Sequence, residues 1–123
     1  MTTNPVVWGY RKDAGYEDAT DMAGFGVEAL DGKIGKVIRV GRHETFGSYL
    51  VVDTGPWVFG TLAVLPAGSV SLVDLPREVV FVDRTRREIK DAPEFERVIR
   101  PPEAAYLEQL DGYYGALHSR HGL

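Results

Sequence analysis

Val27-Glu28-Ala29-Leu30-Asp31-Gly32-Lys33-Ile34-Gly35-Lys36-Val37-Ile38-Arg39-Val40 decides how this chain is read. Apolar residues flank Asp31-Gly32 on both sides. Asp-Gly in that setting is a strong hairpin signal, because both central positions of the favoured two-residue turn need positive φ. The stretch predicts a strand over 27–30, a turn, and a second strand over 33–40. The apolar members of the second strand are Ile34, Val37, Ile38 and Val40.

The same texture continues toward the C-terminus. Residues 41–47 read as a polar loop. Residues 48–54 read as an apolar strand ended by Gly55-Pro56, and 57–65 as another, with Gly60 a candidate bulge. Pro66-Ala67-Gly68 turns the chain, and 70–74 and 78–82 pair around Leu75-Pro76-Arg77. Short strands with tight turns predict a mainly β fold, a small six-stranded antiparallel β-barrel. Closure of such a barrel removes exposed edges. A two-sheet sandwich is the alternative, but roughly 60 residues is short against the about 100 of immunoglobulin-type sandwiches.

Residues 1–23 form an N-terminal arm of mixed polarity carrying Trp8, Tyr10 and Tyr16, interrupted by Gly9 and Gly15. Residues 24–94 hold the barrel, and 95–123 a C-terminal helical extension. A short helical turn near 84–90 stops before Pro93. A longer helix is expected to start at Pro102, run to about Tyr114 and stop at Gly115. Tyr106, Leu110, Tyr113 and Leu117 follow the helical period and form its packing stripe.

The chain has 123 residues, 44% hydrophobic and 26% charged, which fits one globular domain. Its 14 basic and 18 acidic residues leave a formal charge of -4, so no global field draws it to nucleic acid. The absence of cysteine removes disulfides and thiolate chemistry. No signal-like N-terminus and no apolar run of about 20 residues is visible, so a cytoplasmic location and no membrane span are expected.

Several pieces recur in a set order: Gly24-Phe25-Gly26-Val27-Glu28-Ala29, Asp31-Gly32-Lys33-Ile34-Gly35-Lys36-Val37, and Tyr49-Leu50-Val51-Val52-Asp53. Then follow Leu65-Pro66-Ala67-Gly68, Val80-Phe81-Val82-Asp83, Ile89-Lys90-Asp91-Ala92-Pro93 and Tyr113-Tyr114-Gly115. Their order and spacing resemble the PRC-barrel family over about two-thirds of the chain. The family includes the C-terminal barrel of ribosome-maturation factor RimM and the photosynthetic reaction-centre H subunit. This chain is most similar to small stand-alone bacterial members, since RimM-like proteins place a second barrel where the arm stands here. The resemblance implies a module that docks on other macromolecules, without shared catalytic residues. Gly32, Gly35, Pro66 and Gly68 are its structural turn residues.

Four constellations could carry chemistry. Asp53-Thr54-Gly55 after two valines is the pattern of a dimeric aspartic protease, in which two carboxylates share a proton. Pro56-Trp57 follows where those enzymes have a small residue, and a plain strand-ending turn accounts for the same letters. His43-Glu44 has no third ligand at metal spacing, and His118, Ser119 and His121 lack an orienting acid. Arg84, Arg86 and Arg87 form a basic cluster able to hold an anion or RNA phosphate, diluted by Glu88, Asp91 and Glu94.

The sequence therefore predicts a non-enzymatic, self-associating interaction module, a homodimer that also captures a protein partner. No cofactor or metal is expected, and nucleic acid is a secondary alternative through the arginines. The expected docking face carries Trp8, Tyr10, Trp57 and Tyr113, because aromatics dominate interface energetics.

Overall fold

The hairpin read from residues 27–40 forms, one residue out of register. In the computed structural model, which describes residues 5–15, 21–55, 61–93, 95–96 and 102–121, β1 is Gly26–Ala29 and β2 is Gly32–His43. Ala29 pairs with Gly32, so the two-residue loop is Leu30-Asp31. Gly32 opens β2 at φ +144°, a region that L side chains rarely adopt. Leu30, expected inside a strand, lies at the tip and is 68% exposed. The tip is tied down: Leu30 N–H donates to Arg84 O at 2.9 Å, and Asp31 Oδ1 accepts Arg86 N–H at 2.8 Å.

β2 runs further than its apolar residues do. Gly41, Arg42 and His43 pair with Tyr49, Ser48 and Gly47, so the expected polar loop over 41–47 shrinks to the turn 44–46. Ladder bonds are made by the backbone and do not need apolar side chains. Two bulges bend the strand: Ile34 is the extra residue opposite β1, and Ile38 opposite β3. A bulge resets the alternation of faces. Ile34 and Val37 are consequently buried, while Ile38 is 43% exposed.

β3, Gly47–Asp53, lies between β2 and β4, and its Tyr49, Leu50, Val51 and Val52 are all buried. An uninterrupted buried run means that both faces of the strand are covered. Gly35 allows β2 to pass its end, for a Cβ there would stand 2.0 Å from Asp53 O.

β4, Thr61–Pro66, pairs with β3 and with the two-residue β7, Phe95–Glu96. A 3-10 turn at Ala67–Ser69 leads into β5, Val70–Asp74, and β6 is Val79–Val82. The strand order is β5-β6-β1-β2-β3-β4-β7. The fold is mainly β, but the predicted closed antiparallel barrel is not what forms. A seventh short strand is present, β1 and β6 pair in parallel, and β5 and β7 do not pair with each other among the described residues. The β5–β6 hairpin comes back to β1 from far along the chain, so no tight turn imposes the antiparallel direction. The sheet is still curled. Pro66 ends β4 and Val70 begins β5, and such a short link spans at most about 14 Å. The two sides of the sheet therefore approach at this corner without joining.

The arm covers that corner. Its helix α1, Pro5–Trp8, packs on the Ala67–Ser69 turn, on β3 and on the C-terminal helix α3, Ala104–His121, and its 3-10 turn Lys12–Ala14 packs on β5. Covering an open strand edge with a loop is a standard guard against pairing with other chains.

α2, Arg86–Lys90, starts where expected, from a capping box in which the Thr85 hydroxyl accepts Glu88 N–H and Glu88 Oε1 accepts Thr85 N–H. α3, Ala104–His121, departs from expectation at both ends. Pro102 precedes it, and Gly115 lies inside it. Its buried residues are Leu107, Leu110, Tyr114 and Leu117, so the helix is turned from the predicted stripe, with Tyr106 and Tyr113 half-buried at the flank. No helix among the described residues is long and apolar enough to cross a membrane.

Candidate functional site

The main exposed apolar feature arises where β1, β5 and β6 meet. β5 pairs with β6, with a register shift between Val70 and Leu72. Ser71 is the extra residue, and its hydroxyl donates to Phe81 O at 3.2 Å. Val70 and Val73 are buried, while Leu72, opposite Phe81, is 45% exposed. Ser71, Leu72 and Phe81, together with Glu28, Leu30 and Val82, line an open groove of about 440 Å³. Glu28 and Lys33 are direct partners across the β1–β2 ladder and share its face, yet no ion pair joins them among the described residues.

A second depression lies on the other side of Leu30. Arg11, Asp83, Arg84, Thr85, Glu88 and His118 line it with Leu30, around about 460 Å³. Arg84 Nη1 donates to Asp83 O at 2.9 Å and to Asp83 Oδ1 at 3.1 Å. The Arg11 guanidinium holds the other oxygen of Asp83, and Arg11 Nε donates to Gly68 O at 3.2 Å. The Arg84 side chain is only 7% exposed, and its Nε–H is buried without an acceptor. A buried donor left unsatisfied costs about 1–3 kcal/mol, and more on a charged group. The nearby Tyr114 hydroxyl is likewise buried without a partner, and burial raises its pKa, with Tyr113 and Tyr106 adding to the rise.

The described residues of the predicted aromatic face are buried or half-buried. Trp8 is 2% exposed, its Nε1–H donates to Asp111 Oδ1 at 2.7 Å, and its ring packs on Phe46 at 5.6 Å. Tyr113 is half-buried and its hydroxyl donates to Glu88 O. Tyr10 is half-buried against the core. Trp57, Tyr16 and Gly60 lie outside the described residues. Trp8 thus belongs to the core, because its N–H finds a carboxylate on α3 that the sequence does not place beside it.

The arginine cluster is separated too. Arg84 points inward, Arg86 lies 3.9 Å from Asp31, and Arg87 Nε donates to Asp91 Oδ2 at 3.2 Å. Asp53 ends β3, where Oδ1 accepts Gly55 N–H at 2.8 Å in a turn. His43 Nδ1 accepts Thr45 N–H at 3.1 Å at the β2–β3 turn. His118 lines the Arg84 depression, and the side chains of Ser119 and His121 lie outside the described residues. Among the described residues no three acidic or histidine side chains are placed to hold a metal. Pro66 and Gly68 stand at the 3-10 corner as expected. Leu30 and Leu72 were missed because Leu30 lies in a turn that forms one residue earlier than expected and Leu72 follows the Ser71 bulge. Arg84 was expected in a basic cluster, but not its burial beside Arg11, which is far away in sequence and shares Asp83 with it.

No protein-family model matches this sequence, and no curated protein matches it significantly.

Proposed function

We propose that this chain is a non-enzymatic interaction module of PRC-barrel type that self-associates through the Leu30–Leu72–Phe81 groove. The observation that carries the reading is the exposure of Leu30 and Leu72, 68% and 45%, on either side of one groove. Apolar side chains gathered at such a rim mark association surfaces more often than scattered ones do. A second copy is the occupant favoured by charge. Glu28 in the groove and Lys33 beside it are opposite in sign and make no ion pair among the described residues, so a two-fold partner brings the Lys33 of each copy to the Glu28 of the other. The PRC-barrel reading rests on the order of the sequence motifs. The proposed docking face differs from the aromatic one expected from sequence. RNA binding has less to support it, since Arg86 and Arg87 each have a carboxylate within reach.

Sedimentation velocity over a concentration series tests this, comparing the natural chain with Leu30→Asp and Leu72→Asp. A dimer that either variant turns into folded monomer supports the proposal. A natural chain that stays monomeric throughout, or variants that dimerise as well as it does, would sink it.

A further inference from the structure

The depression around Arg84 carries an inference of its own. Four separate parts of the chain converge there: the arm through Arg11, the hairpin tip through Leu30, the segment after β6 through Arg84 and Glu88, and α3 through His118. Its volume, about 460 Å³, lies within the roughly 300–1,000 Å³ of small-molecule sites. Arg84, one of its lining residues, carries a buried guanidinium N–H that no protein atom accepts. Asp83 does not fill that role: its Oδ1 accepts from Arg84 Nη1, its Oδ2 lies on Arg11, and neither reaches Nε.

We propose that this depression binds a small monocarboxylate. One carboxylate oxygen accepts from Arg84 Nε–H and the other from an imidazole N–H of His118, while the apolar body of the ligand lies against Leu30. Charge selects the class. Two arginines and two acids line the site, so a single negative charge is tolerated where a phosphate dianion would be repelled by Asp83 and Glu88. Geometry agrees with charge, since a planar carboxylate matches a guanidinium edge. The orphaned donor then gains the acceptor that burial denies it.

Benzoate is the probe. The isotope-labelled full chain is titrated with benzoate, benzamide and inorganic phosphate, following arginine Nε–Hε signals by NMR. Benzoate is expected to shift one such signal saturably at about millimolar concentration, as suits a ligand of few atoms. That signal should be the one missing from Arg84→Lys, a change that keeps the charge and removes the Nε donor. Benzamide, of the same shape without the charge, should bind about tenfold more weakly. His118→Gln should weaken benzoate several-fold, and Arg42→Gln on β2 should leave it unchanged. No saturable shift with benzoate, equal binding of benzamide, or tighter binding of phosphate would each overturn the assignment. The titration of the natural chain decides the matter even if Arg84→Lys does not fold.

Discussion

The Trp8 indole N–H donates to Asp111 Oδ1 at 2.7 Å, joining the arm to α3 across almost the whole chain. Trp8 also packs on Phe46 at the β2–β3 turn, so a single residue ties the arm, a hairpin tip and the C-terminal helix together. Trp8→Phe keeps most of the apolar contact and removes the donor. It should cost about 1–3 kcal/mol, the range for a hydrogen bond to a charged group. Trp8→Ala should cost about 3–5 kcal/mol, as large aromatic deletions in cores do. Urea unfolding measures both, and equal losses for the two variants would deny the indole bond any role.

Gly35 is the tightest point of the sheet. A Cβ there meets Asp53 O at 2.0 Å and Thr54 Cα at 3.0 Å, both backbone atoms, at φ +153°. Gly35→Ala should therefore cost about 4 kcal/mol or more. Gly26 in β1 has nothing within 4 Å, so Gly26→Ala should be neutral or better by at most about 1 kcal/mol. Thermal melts of the pair check the contrast.

Gly115 separates two readings of the C-terminus. As the helix stop suggested by sequence it would need positive φ, and alanine would destabilise. In the structure it is interior to α3 with open space where a Cβ would point. Gly115→Ala should raise stability by about 1 kcal/mol, as should Gly112→Ala. A drop in the urea midpoint for Gly115→Ala would place the helix end there after all.

Tyr114 sets an alkaline limit. Burial keeps its hydroxyl protonated well above the usual tyrosine range. The unfolded chain releases that proton around pH 10 while the folded chain retains it. Above that pH the unfolded state binds fewer protons, so stability falls as pH rises, by up to about 1.4 kcal/mol per unit for this group. Tyr114→Phe removes an unpartnered buried hydroxyl, so it should be neutral or stabilising at pH 7 by about 1 kcal/mol. It should also lose less stability on the way to about pH 11. Urea midpoints against pH give both answers, and parallel profiles for the two proteins would refute a buried neutral hydroxyl.

Local chemistry made several features legible. The short helical turn expected near 84–90 forms as α2 and stops before Pro93. The Pro66–Gly68 corner and the Asp53–Gly55 turn also lie where their residue types put them, because each needs only its immediate neighbours. Features that failed depended on strand register. Leu30 left its strand because Ala29 pairs with Gly32, and Ile38 turned outward because β3 passes it with one residue fewer.

By itself the sequence determined that this chain is rich in strands, where most of them turn, and that a helix closes it. These follow from turn chemistry, β-branched content and helical period, which act over a few residues. The tertiary structure decided that β6 lies parallel to β1, that the sheet stays open under the arm, that Trp8 is core, and that Arg84 is buried beside Arg11. Those outcomes depend on which surfaces meet once the sheet curls, and no local propensity encodes a meeting between residues far apart in the chain.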